Sequence, residues 1–176
     1  MLSEKRISEA ETNVAQFLED GLLSKVDVLR KEVLATYKKN YEESLDVAKK
    51  IYDQKLSSLW VVVCSYYAMF YIANAVLYKI GYKVGGNIVH KVTSDALIVY
   101  VRKRLKKSYL EEYEEAKEEV MELIGKKADD VISHYDKELS KRSIFQYETT
   151  EEIKRTKAET SLKRAQQFVF EMVKLL

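Results

Sequence analysis

The sequence predicts an all-α protein, an up-and-down helical bundle. Three observations carry that reading. The 176-residue chain has no proline and five glycines, too few turn residues for the repeated hairpins of a sandwich or barrel. Most of the chain places apolar residues three and four apart, the period of a helix with one buried face. One stretch, Leu59 to Tyr78, is apolar nearly all round. Ser65 and Asn74 are its plainly polar residues, and six of its twenty residues are aromatic. A helix of that kind must be covered on every side.

The first helix is expected over Ser3 to Glu19, where Ile7, Ala10, Val14, Phe17 and Leu18 keep helical spacing. Ser3 supplies a cap and Gly21 a stop. From Ser24 to about Lys55 a second apolar stripe runs through Val26, Leu29, Val33, Tyr37, Tyr41, Leu45, Ala48 and Tyr52. No breaker interrupts it, so it reads as one long helix or as two joined near Lys38 to Asn40. Ser57 or Ser58 caps the central helix, and Gly81 ends it. Residues 81 to 89 hold three of the five glycines and form the glycine-rich loop. Helical spacing resumes from His90 to Arg104, and again from Tyr109 to Leu139, where Gly125 is a place to kink or split. Residues 140 to 149 read as a connector. Thr149 followed by Glu152 fits a capping box for a last helix. Along that helix Ala158, Leu162, Ala165, Val169, Met172 and Leu176 form a narrow seam.

Composition narrows the function classes. Net charge is +2, so bulk charge gives no argument for nucleic acid and any basic surface must be local. The one cysteine, Cys64, lies inside the apolar segment. It reads as a small buried hydrophobe, which excludes a disulfide framework and fits a reducing cytoplasm. No Asp/Glu/His/Cys cluster has metal-ligand spacing, and no cofactor is implied. Lys and Glu are abundant while Asn and Gln are scarce, a lean toward a thermophilic source. The first twenty residues lack the uninterrupted apolar run of a secretory signal. Leu59 to Tyr78 is long enough to span a bilayer. It would, however, place Tyr66, Tyr67 and Tyr71 near the membrane centre rather than at its interfaces. A core helix and no membrane is the expectation.

Three features together resemble the HEPN family (higher eukaryotes and prokaryotes nucleotide-binding domain). The first is Ser65-Tyr66-Tyr67-Ala68-Met69-Phe70 with Ala73, Ala75, Leu77 and Gly81 behind it. The second is His90-Lys91 at the entry of the next helix. The third is Arg142 and Tyr147 ahead of a final helix with Ala165, Phe168 and Val169. The resemblance covers residues 41 to 176 and leaves 1 to 40 as an additional N-terminal helix region of a single domain, 1 to 176. It implies a bundle that dimerises, and the central helix region is the expected homodimer contact. Many members of the family are metal-independent endoribonucleases or their inactive relatives. Some pair with small nucleotidyltransferases as toxin and antitoxin. The family's ribonuclease motif is an arginine, four to six residues, then a histidine. Ahead of His90 the arginine position is Gly85, Val84 or Lys83, of which Lys83 alone is basic. Lysine is a point charge without arginine's two-pronged fork, so the motif is degenerate here.

The candidate site residues follow. His90 is a base or phosphate ligand, with Lys83 as the accompanying cation. Asn87, in the Gly85-Gly86-Asn87 turn, is a nucleotide- or RNA-binding candidate, although the turn matches no Walker or dinucleotide motif. Arg102, Lys103, Arg104, Lys106 and Lys107 put five basic residues in six, an RNA-backbone patch or a solvated helix end. Residues 81 to 107 carry seven Lys or Arg and one Asp, and residues 108 to 125 carry seven Glu and one Lys. Arg142 and Tyr147 complete the nucleotide-binding candidates, and His134 reads as a surface residue. Tyr66, Tyr67, Phe70 and Tyr71 read as core and dimer contacts. The sequence thus leads to an RNA- or nucleotide-associated binding module of the toxin–antitoxin or nucleotidyltransferase-partner kind. The alternatives are an active metal-independent endoribonuclease using His90 and a structural protein-interaction dimer.

Overall fold

The computed structural model describes residues 2–139 and 155–176, and side chains in its fifth helix as far as Gly125. It is mostly helical. In chain order the elements are α1 (Glu4–Glu19), β1 (Leu23–Lys25), α2 (Lys31–Asp53), α3 (Ser58–Lys79), β2 (Tyr82–Val84), α4 (Val89–Tyr100), α5 (Lys107–Leu139) and α6 (Arg155–Val173).

Helix α3 is the axis of the packing. It touches α2, α6, α4, α5 and β2, with α2 and α6 making its most extensive contacts. Its start is fixed by the Ser57 hydroxyl, which accepts the Trp60 N–H and satisfies one of the four orphan donors of the first turn. Val61, Tyr66, Ala68, Met69, Ile72, Ala73, Ala75, Val76 and Leu77 are each at most 1% exposed, so the burial runs round the helix as its composition requires. α3 is the one described helix long and apolar enough to cross a membrane, and 72% of its apolar window is buried inside the protein. Its small residues Ala68, Ala73 and Ala75 let neighbouring helices approach closely.

The segment after α1 departs from the sequence expectation. The second helix does not begin near Ser24 but at Lys31. Leu23–Lys25 is instead a strand, antiparallel to Tyr82–Val84, with Leu23 opposite Val84 and Lys25 opposite Tyr82. The Val26 N–H donates to the Gly81 carbonyl, and the Gly85 N–H to the Leu22 carbonyl. These long-range backbone bonds outweigh the helical spacing of Val26 and Leu29, and Val28 and Leu29 project into solvent. From Lys31 to Asp53, α2 is one unbroken helix, with no joint near Lys38 to Asn40. Gly81 has φ +93° and Gly86 φ +79°, the left-handed backbone that glycine adopts without a Cβ penalty. They bracket β2, so the predicted loop contains a strand.

Helix α4 stops at Tyr100, and residues 101 to 105 form the turn into α5. The helix therefore ends earlier than the apolar spacing indicated, because Val101 buries at the turn instead of continuing the stripe. Helix α5 passes through Gly125 without a break. On α6, Ala158, Leu162, Ala165, Val169 and Met172 face the core as the seam predicts, joined by the fully buried Phe168, whereas Leu176 is exposed.

The N-terminal region is integral to the fold. Ser3 caps α1 by accepting the Arg6 N–H, and Ala10, Val14 and Phe17 bury the helix, whose main neighbour is α4.

Candidate functional site

His90 lies in the first turn of α4, at the meeting of α3, α4 and α5. Its ring is half-buried. Helix α3 supplies Tyr66, 1% exposed, whose hydroxyl lies 2.8 Å from His90 Nδ1. One residue and one turn further along α3, the rings of Tyr67 and Phe70 flank the imidazole at 6.0 and 4.6 Å between centroids. Helix α5 closes the far side with Tyr113, whose ring lies 6.0 Å from that of Tyr66 and stacks on Phe168 of α6 at 5.4 Å.

The Tyr113 hydroxyl is buried and has no hydrogen-bond partner among the described residues. Burial, then the charge of Lys117, lowers the His90 pKa below its ordinary 6.5, so the ring is neutral at neutral pH. Burial raises the Tyr66 phenol. Tyr113 is raised well above the usual phenol range, by burial first and then by Tyr66.

One turn beyond His90, a polar cluster ties α1, α4 and α5 together. Ser94 Oγ donates to Glu114 Oε1 at 3.1 Å and accepts from Lys117 Nζ at 3.3 Å. Arg6 Nη2 reaches Asp95 Oδ1 at 2.5 Å and Glu114 Oε1 at 2.6 Å. Asn13 Nδ2 donates to Asp95 Oδ2 at 2.9 Å. The two cations, Arg6 and Lys117, balance the two carboxylates, which is what a buried charge requires.

The structure distributes the sequence candidates unevenly. Lys83 is exposed on β2, where its carbonyl accepts the Ser24 hydroxyl at 3.4 Å, and Asn87 is exposed in the following turn. Lys83 is not among the groups bonded to His90 or acting on it. The cation in that role is Lys117. In the basic run, Arg102 pairs with Glu11 of α1 at 3.3 Å and Lys107 lies 3.9 Å from Glu111. Lys103, Arg104 and Lys106 are exposed at the α4–α5 turn without an ion pair among the described residues. Arg142, Tyr147 and the Thr149–Glu152 capping box lie outside the described residues, and His134 lies on α5 beyond the described side chains.

Sequence reasoning placed Tyr66 in the core but missed its bond to His90. It also missed Lys117, Tyr113 and the Arg6–Asp95 pair. One signal pointed to Lys117: it is the single cation among the seven glutamates of residues 108 to 125. Nothing in the local pattern joins Arg6 to Asp95.

Among the described residues no three His, Cys, Asp or Glu side chains gather as a metal site. No protein-family model matches the chain, and no curated protein or solved structure is significantly similar to it.

Proposed function

We propose that the protein is an HEPN-like, homodimeric RNA- or nucleotide-associated binding module, of the kind found in toxin–antitoxin or nucleotidyltransferase-partner systems. The observation that carries this reading is the α4–α5 turn. It presents Lys103, Arg104 and Lys106 to solvent with no carboxylate paired to them among the described residues. Exposed, unneutralised cations on one turn suit a phosphate backbone, whose binding releases condensed counterions. The chain around His90 supports it. From Gln54 to Ser94, through α3, β2 and the start of α4, there is no Asp or Glu, while Lys55, Lys79, Lys83 and Lys91 are present. A polyanion meets no repulsion from that stretch.

The test is the affinity for a single-stranded RNA oligonucleotide across a salt series. Binding that weakens steeply with salt, and weakens again when Lys103, Arg104 and Lys106 are neutralised, supports the module. Absent or salt-insensitive binding points to a dimer that engages another protein.

A second reading, a metal-independent endoribonuclease, is favoured by one observation. His90 is held neutral by burial and by Lys117, the state a general base needs before it takes a 2′-hydroxyl proton. Incubation with RNA in EDTA separates the two. Cleavage abolished by His90→Ala would establish the enzyme, and intact RNA with a clean dimer would remove it.

A further inference from the structure

The pair Tyr66 and His90 has a direction that a distance alone does not give. A tyrosine hydroxyl offers one proton and accepts through its oxygen. A neutral imidazole donates from one nitrogen and accepts at the other. The Tyr66–His90 contact at 2.8 Å is therefore compatible with either ring tautomer. Burial breaks the tie. Tyr66 is 1% exposed, and the hydrogen-bond partner of its hydroxyl among the described residues is His90 Nδ1. If Nδ1 carried the proton, the Tyr66 O–H would be an unpaired buried donor, which costs roughly 1–3 kcal/mol. Tyr66 accordingly spends its own proton on His90 Nδ1.

The geometry points to Tyr66 as a positioning residue that fixes His90 as the Nε2–H tautomer, so that the ring offers a ligand a hydrogen-bond donor. Nδ1 is then occupied as an acceptor. Nε2 carries the proton and has no protein partner among the described residues. No lone pair is left to take a proton from a 2′-hydroxyl. The Nε2–H suits a phosphate oxygen, which accepts only. Lys117, whose charge acts on His90, favours an anion there as well. The groups against the imidazole are Tyr66, Tyr67 and Phe70 from α3, and the charge of Lys117 on α5, held by Ser94 and Glu114, acts on it. The ligand part of this inference rests on the binding reading above, whereas the tautomer does not.

The test is long-range ¹H–¹⁵N correlation of the histidine rings in the labelled full-length chain. There are two histidines, and His90→Phe assigns the signals. The expected spectrum shows His90 protonated at Nε2 with Nδ1 as acceptor, and Tyr66→Phe mixes the two tautomers. A wild-type ring protonated at Nδ1, or a ring spectrum unchanged in Tyr66→Phe, overturns the proposal. If Tyr66→Phe does not fold, the wild-type spectrum alone decides, and a ring protonated at Nδ1 overturns the proposal. For the ligand, binding of a single-stranded RNA oligonucleotide should fall about tenfold in His90→Phe, the scale of one hydrogen bond to a charged group, and recover in part in His90→Gln, which keeps an N–H. Equal binding by wild type and His90→Phe overturns the donor role. Absence of binding by wild type, with the tautomer as expected, counts against the RNA reading alone.

Discussion

Arg6 and Asp95, 89 positions apart, join α1 to α4 through a guanidinium–carboxylate contact of 2.5 Å, with the Asp95 side chain wholly buried. Burial, which would lower the Arg6 pKa, is outweighed by the bonds to Asp95 and Glu114. The pair exists because each partner would be costly alone.

Removing one partner is accordingly worse than removing both. Arg6→Ala should destabilise the fold by roughly 3 kcal/mol, because it strands a buried carboxylate. Replacing Arg6 and Asp95 together with leucine should recover much of the loss. Chemical denaturation of the three proteins checks this, and equal losses in single and double variants would refute it.

His90 makes stability depend on pH in a defined direction. Its folded pKa lies below 6.5, through burial first and Lys117 second, so the unfolded chain binds the proton more readily. Unfolding free energy therefore rises with pH between the folded value and 6.5 and is flat above. His90→Phe should flatten that part of the profile relative to wild type. An unchanged difference profile would mean that the imidazole is not held neutral.

The two adjacent glycines after β2 should differ sharply. Gly86 has φ +79°, and a methyl there would meet Leu22 Cδ2. Gly86→Ala should cost about 1–2 kcal/mol, mostly backbone strain, since the leucine can move. Gly85 lies in open space without a positive φ, so Gly85→Ala should be near neutral. Melting temperatures of the pair decide it.

If the α4–α5 turn contacts phosphates, neutralising Lys103, Arg104 and Lys106 should lower the slope of log affinity against log salt by about 2, at about 0.7 per contact on a single strand. Neutralising Arg102 should do less to the slope and should also lower stability, because Glu11 already holds it.

The all-α architecture was legible because α1, α4, α5 and α6 follow apolar periods that packing reinforces, and because α3 is apolar nearly all round. The caps at Ser3 and Ser57 were legible for a local reason: each hydroxyl bonds an N–H three residues on. What local pattern hid was whatever depends on partners far along the chain. Ser24 and Lys25 looked helical because Val26 and Leu29 keep the right spacing, yet β2, some sixty positions away, captured them in a strand. The site shows the same division. His90 stood out by its place at a helix entry, but its partners Tyr66 and Lys117 lie on other helices. Lys83 was near in sequence only, and the pleat of β2 turns it to solvent.

The strand pair and the Arg6–Asp95 contact also set an order of events. Helices α2 and α3 are consecutive and extensively packed, so their hairpin closes a short loop. Docking α1 and β1 closes loops of 89 and 59 positions, and the entropic cost of closure grows with length. The N-terminal segment should therefore dock late in folding and detach early in unfolding. Amide hydrogen exchange should be faster in α1 and β1 than in α3. A nick between α1 and α2 would turn a covalent neighbour into a dissociable one, leaving Asp95 without its guanidinium whenever α1 departs.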